Sequence, residues 1–276
     1  MSPLFRIFDQ RLLLVIGAMK AGTLSLHRYL DLHPEIAMSK KKELDYFLGE
    51  KNWRRGKLWY ASRLRWSTCK YIGESSPNYS KAHMHPGVPQ RIQAVAPDAR
   101  LIFSARDPLK RAVSHYLHNV VNGREWRSIE EALDPIPGNH YLETSLYAKQ
   151  LEPFWELFEN RVLVLDARQL STDTRSVMRG VYRHLDLPAL GDESPLDVRH
   201  HESIVKTRRL RHNLRLLRDI RSFKKLRKLV PWLTDTAFTP PPIPSRLRDK
   251  WYAATESDVR AFRRRTGLSV ESWFEA

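Results

Sequence analysis

The chain has 276 residues, of which 42% are hydrophobic, enough to bury a sizeable core, and an α/β fold of this length need not divide into two domains. Lys and Arg number 47 against 31 Asp and Glu, a formal charge of +16 that favours polyanionic partners: nucleotide phosphates, nucleic acid, acidic lipid headgroups or anionic glycans. Cys69 is the only cysteine, which excludes an intrachain disulfide and a thiolate metal cluster and fits a reducing compartment.

Residues 1–10 carry Arg6 and Asp9 and run directly into an apolar segment too short and too early for a signal peptide or a membrane span, so a cytoplasmic protein is expected. That segment, Leu12-Leu13-Leu14-Val15-Ile16, does not alternate and ends at Gly17, the pattern of a strand buried on both faces of a parallel sheet. From Thr23 the apolar residues Leu24, Leu26, Tyr29 and Leu30 recur at helical spacing until His33-Pro34 breaks it. Further strands are predicted at 71–73, 101–105 and 162–165, and helices at 89–95, 109–121, 146–158 and 174–185. Their alternation predicts a right-handed βαβ series and hence an α/β fold. Residues 51–70, rich in Trp and Arg without a period, read as an irregular insertion over the sheet edge. From 205 to 230 the chain is strongly basic, with Asp219 the sole acid, and Leu210, Leu214, Leu217, Ile220 and Phe223 recur at helical spacing. Pro240-Pro241-Pro242 and Pro244 form a stiff connector. A last helix is predicted from Ser245 through Trp251, Val259 and Phe262 towards Arg265, with Gly267 as its stop. The expectation is one domain over residues 1–276, with a core over about 11–190 and a basic helical extension over about 200–276.

Gly17-Ala18-Met19-Lys20-Ala21-Gly22-Thr23 joins the first strand to the first helix, where glycines free the backbone and a helix N-terminus favours an anion. Taken alone, it is either a phosphate cradle or an ordinary βα turn. A nucleotide-triphosphate P-loop ends Gly-Lys-Ser/Thr, whereas here Thr23 follows Gly22 directly and Lys20 lies inside the loop. A second candidate is Arg106-Asp107-Pro108 at a strand end, with Ser114 on the next helix. A guanidinium grips phosphate in bidentate fashion and a serine hydroxyl adds a neutral donor. Alone, this block is equally a strand-to-helix turn with a surface arginine and a solvent-facing serine.

Together the two blocks resemble those of the sulfotransferases that use 3′-phosphoadenosine-5′-phosphosulfate (PAPS). Residues 17–26 look like their 5′-phosphosulfate loop and 101–116 like their 3′-phosphate strand and helix, and the resemblance extends more weakly from 12 to about 188. It implies a P-loop NTPase-like three-layer α/β fold, a central parallel β-sheet flanked by helices. It also implies PAPS as donor, 3′-phosphoadenosine-5′-phosphate (PAP) as product, no metal, and donor contacts from Lys20, Ala21, Gly22, Thr23, Leu24, Arg106 and Ser114. His33-Pro34-Glu35 and Lys42-Glu43-Leu44-Asp45-Tyr46-Phe47 are similar to the heparan sulfate sulfotransferase branch and its bacterial relatives, in which a glutamate before an aromatic pair acts as base. This resemblance makes Glu43 the general base and Lys20 the catalytic cation. The bland alternative for Glu43 is a solvated carboxylate amid Lys40, Lys41 and Lys42. Gly73-Glu74-Ser75-Ser76-Pro77-Asn78-Tyr79 looks like a strand-end segment in which lysine often stands where Ser75 stands here, and Ser76 remains a hydrogen-bond donor. Ser145-Leu146-Tyr147 with Gln150 resembles the segment that walls the adenine, although Tyr147 is equally a core aromatic. Lys206, Arg208 and Arg209 fall where relatives carry a basic loop over the donor phosphates.

The function these residues imply is transfer of a sulfuryl group from PAPS to an acceptor hydroxyl on a carbohydrate, glycolipid or other small alcohol. A P-loop nucleotide kinase and a basic nucleic-acid-binding protein are the alternatives. The second leaves the ordered phosphate loops without a purpose, so no specific nucleic-acid partner is expected. The basic helical segment is either a solvated lid or a peripheral contact with an anionic membrane or anionic glycan. Trp53, Trp59 and Trp66 either stack on sugar rings or pack as local core. His83 with His85, and His200-His201-Glu202, lack the further ligands a metal site needs.

Overall fold

The computed structural model describes residues 11–65, 67–198, 208–210, 212–217, 220–270 and 273. They form two compact units, Met1–Asp107 with Leu146–Glu202 and Asp258–Ala276, and Pro108–Ser145 with Ser203–Ser257. The strands are β1 Arg11–Gly17, β2 Ile36–Met38, β3 Tyr71–Ser75, β4 Arg100–Ala105, β5 Val162–Asp166, β6 Arg208–Leu210 and β7 Asp235–Ala237. The helices are α1 Thr23–Leu30, α2 Gly56–Ala61, α3 Val88–Val95, α4 Pro108–Val121, α5 Ile129–Leu133, α6 His140–Glu143, α7 Tyr147–Phe158, α8 Ala167–Thr172, α9 Thr174–His184, α10 Arg221–Leu229, α11 Pro231–Thr234 and α12 Ser245–Thr266.

The first unit is built on a parallel five-stranded sheet of order β2-β3-β1-β4-β5. Its middle strand, β1, does not alternate in polarity because both its faces are covered. Leu12, Leu14 and Ile16 enter one core with Ile72, Leu101, Phe103, Phe154 and Phe158. Leu13 and Val15 point the other way and meet Leu26, Leu30, Tyr71, Ile102, Met178 and Val181. Gly73 lets the edge pack closely, since a Cβ there would come within 2.6 Å of Met38 Sδ and 2.8 Å of the Leu13 carbonyl.

Because the strands are parallel, the ends of β3, β1 and β4 stand side by side on one edge of the sheet. The chain visits β2 and β3 on one side of β1 before crossing to β4 and β5 on the other. Such a reversal opens a crevice beyond the carboxyl ends of the strands. Gly17, Ser75 and Arg106 lie at that edge.

In the second unit, α4 buries Arg111 completely, with Nε donating to Ser145 Oγ at 2.8 Å and Nη2 to the Tyr141 carbonyl at 2.8 Å. The basic segment 205–230 does not form one helix. Its described part is β6, paired antiparallel with β7, then a 3₁₀ turn His212–Leu217 and α10. Leu210 is fully buried against Gly123, and the extended backbone of Ile220 separates the turn from α10. Helical periodicity thus yields to strand pairing and burial of one leucine. The predicted helix α12 and its stop at Gly267, with φ of 68°, are found as expected.

Candidate functional site

Gly17 must lack a side chain, because a Cβ would overlap Ser80 Oγ and the Phe103 ring. This close approach carries the loop after β1 between its neighbours, and β4 then secures it. The Ala18 N–H donates to the Ser104 carbonyl at 2.8 Å, and Ser104 Oγ donates to the Ala21 carbonyl at 2.6 Å. Lys20 and Gly22 both take left-handed backbone, with φ of 71° and 76°. Glycine adopts this freely, whereas at Lys20 it costs about 1 kcal/mol. Gly22 caps α1 without a side-chain oxygen, and the first-turn N–H groups of a helix have no intrahelical partner.

Arg106 follows β4, and its Nη1 donates to the Lys20 carbonyl at 3.2 Å. Burial holds its guanidinium below the usual arginine range. Tyr147 takes a core position. Its ring is fully buried against Phe103, Phe262 and Trp273, and its hydroxyl donates to the Arg106 carbonyl at 2.7 Å. Tyr147 therefore fixes the backbone that carries Arg106. The buried Gln150 likewise serves a turn, its Oε1 accepting the Ala82 N–H at 2.6 Å.

The Glu43 segment is held against the end of β3. The Ser39 N–H donates to the Gly73 carbonyl at 2.7 Å and the Glu43 N–H to the Ser75 carbonyl at 2.9 Å. The side chain of Glu43 is exposed and its φ is 59°. Beside it, Lys42 Nζ donates to Thr23 Oγ1 at 3.0 Å, so the segment bearing Glu43 is in direct contact with the start of α1. Burial pushes the Lys42 ammonium down to about 8, against the attraction of Glu43 and with the added repulsion of Lys20. Sequence reasoning missed Lys42. Three adjacent lysines carry no signal that one of them turns inward.

Ser75 Oγ lies 2.8 Å from His27 Nδ1, and His27 Nε2 lies 3.1 Å from the Ser39 carbonyl. A carbonyl only accepts, so Nε2 carries the proton and the Ser75 hydroxyl donates to Nδ1. Burial lowers the His27 pKa, and Lys42 adds to the effect, which favours the neutral ring. Glu74 is completely buried. Its Oε1 accepts from Tyr79 at 2.5 Å and Tyr60 at 3.3 Å, and its Oε2 accepts from Ser76 at 2.6 Å. Despite these donors, burial pushes its pKa up to about 7.

Of the remaining predicted site residues, Ser114 lies part-exposed on α4 of the second unit. Arg208 and Arg209 lie on β6 of that unit, opposite Ala237 and Thr236. Lys206, Trp66 and His200-His201-Glu202 fall outside the described residues. The structure thus brings together Lys20, Ala21, Gly22, Thr23, Leu24 and Arg106 with the Glu43 segment in one unit. Trp53 and Trp59 pack around Tyr46, with ring centroids 5.3 and 6.3 Å away, as part of the local core. Among the described residues, no three His, Cys, Asp or Glu side chains group as a metal site would require.

Residues 10–230 match the family model described as Sulfotransferase domain. The chain belongs to the sulfotransferase family. The human heparan sulfate glucosamine 3-O-sulfotransferase 5 is 29% identical over 188 residues, covering 63% of this sulfotransferase and 53% of that protein. The membrane-associated sulfotransferase kil1 of Dictyostelium discoideum is 38% identical over 107 residues, 37% of this chain and 22% of that one. The chain therefore spans about half the length, or less, of these curated relatives. In fold it is similar to a sulfotransferase from Alicyclobacillus acidocaldarius, with a TM-score of 0.67 at 23% identity over 96% of this chain and 98% of that one. This sulfotransferase accordingly has the three-layer, P-loop NTPase-like α/β fold.

Proposed function

We propose that this sulfotransferase moves a sulfuryl group from PAPS to an acceptor hydroxyl by in-line displacement. The observation that carries the proposal is the bond from Lys42 to Thr23, which joins the segment bearing Glu43 to the phosphate loop. It supports the reading of a leaving-group cradle and a candidate base as parts of one site. The residues fit the donor: a loop that tolerates no side chain at Gly17, an uncapped helix start at Gly22, and Lys20 with Arg106 to meet phosphate charge.

In the proposed reaction the acceptor oxygen forms a bond to sulfur while the bond from sulfur to the 5′-phosphate oxygen breaks. The acceptor proton passes to the Glu43 carboxylate, and PAP leaves. Lys20 stabilises the negative charge that grows on the departing oxygen, and the α1 amides with Thr23 hold the phosphate, so catalysis rests on positioning and preorganised charge. A carbohydrate or glycolipid hydroxyl is the acceptor we favour, supported by the glycan named in the human relative's description.

Peripheral contact with an anionic membrane is the partner reading supported by α10. There, exposed Leu226 and Leu229, followed by exposed Leu233, stand beside the exposed Lys224, Lys225 and Lys228. Among the described residues, no helix is long and apolar enough to cross a membrane.

The decisive assay offers labelled PAPS or labelled ATP with a mixture of candidate alcohols, each with and without chelator, and reads products by mass. Sulfuryl transfer that survives chelation supports the proposal. Magnesium-dependent phosphoryl transfer from ATP would replace it with a kinase.

A further inference from the structure

Lys40, Lys41 and Lys42 precede Glu43 in succession, yet the first two are exposed and only Lys42 turns inward. Its backbone is pinned on both sides to the end of β3 by the bonds Ser39 N–H to Gly73 O and Glu43 N–H to Ser75 O. On the α1 side, His27 Nε2 holds the Ser39 carbonyl at 3.1 Å. From this tethered position Nζ reaches Thr23 Oγ1 at 3.0 Å, on the first residue of α1. The charged or titratable groups that face it are Lys20 from the loop, Glu43 from its own segment and His27 from α1. An ammonium desolvated beside a second ammonium, with its hydrogen bond going to a neutral hydroxyl, is costly in the free chain. A phosphate on the loop relieves that cost.

We propose that Lys42 is a second substrate-contacting cation of the donor site, closing on the phosphosulfate from the acceptor side opposite the grip of Lys20. This rests on the PAPS reading above. With burial holding it near 8, Lys42 is largely neutral in the free chain at pH 8.5. An anion bound at Thr23 raises the pKa, so binding must draw in a proton. At pH 7 the ammonium is already formed and little is drawn in. His27, held below its ordinary range by burial, is neutral across this window.

The test is calorimetric titration of PAP into the full chain at pH 7.0 and 8.5, in buffers of different ionisation enthalpy. The difference between wild type and variant gives the protons bound through Lys42. For wild type the expected uptake is roughly 0.7 proton at pH 8.5 and about 0.1 at pH 7. Lys42→Met is expected to abolish the uptake and weaken PAP by on the order of tenfold. Lys42→Arg should also abolish the uptake, since a guanidinium stays charged, while keeping affinity within a few-fold. If the methionine variant does not fold, the arginine variant still decides. PAP binding by wild type without this uptake, or uptake unchanged in either variant, overturns the Lys42 assignment alone. No PAP binding by wild type overturns the donor reading and this inference with it.

Discussion

Replacing Glu74 by Gln should make the sulfotransferase more stable at neutral and alkaline pH. Glu74 is fully buried at the end of β3, and burial lifts its pKa from an ordinary 4.5 to about 7. The folded chain therefore holds this proton more tightly than the unfolded chain. Its stabilising effect is complete below about pH 4.5 and is lost as pH rises through about 7. At about 1.4 kcal/mol per pKa unit, ionising the carboxyl inside the fold costs about 3 kcal/mol, most of it between pH 5 and 7. Glutamine keeps a carbonyl oxygen for Tyr79 and Tyr60 and turns an amide donor towards Ser76 Oγ, which already accepts the Asp45 N–H at 3.0 Å. It removes the ionisation and reverses the hydrogen bond with Ser76. Urea unfolding of wild type and Glu74→Gln, measured from pH 5 to 8, should give curves that diverge with rising pH, wild type falling further by about 2 to 3 kcal/mol. Parallel curves would show that Glu74 is not forced to ionise in a dry site.

Glu43→Gln should lower kcat by on the order of a hundredfold or more with little change in PAP affinity, because the base acts on the acceptor proton and not on the donor; equal loss of both in steady-state and titration measurements would point to a structural role. Gly17→Ala should destabilise the fold by about 1 to 3 kcal/mol in urea unfolding, since the new methyl meets Ser80 Oγ and the Phe103 ring. Tyr147→Phe should weaken PAP binding several-fold in calorimetry while leaving the core packed, because it frees the Arg106 carbonyl and keeps the ring. Sedimentation with phosphatidylserine vesicles, and not with phosphatidylcholine, should be lost when Leu226 and Leu229 become Ser, because these leucines are the apolar part of the proposed contact; unchanged sedimentation would assign the binding to charge elsewhere.

The sheet was legible where burial leaves a continuous apolar run, as in Leu12 to Ile16, because a strand covered on both faces has no polar positions to obscure it. β2 was not, since three residues at a sheet edge carry no period. The loop between β1 and α1 was legible from its two glycines and its place between strand and helix. The inward turn of Lys42 was not, because a row of lysines looks the same whichever one is buried. Tyr147 illustrates a related difficulty: its sequence context left a stacking surface and a core aromatic equally open, and neither points to the hydroxyl bond with the Arg106 carbonyl. The basic segment misled in the other direction, its leucines keeping helical spacing while Leu210 is claimed by a strand.

The measurement that bears most directly on the central claim is a calorimetric titration of PAP into wild type, Lys20→Ala and Arg106→Ala. If the loop after β1 and the end of β4 form one donor site, wild type releases binding heat and each variant binds at least about tenfold more weakly. Wild type silent towards PAP, or both variants binding as wild type does, would contradict the account.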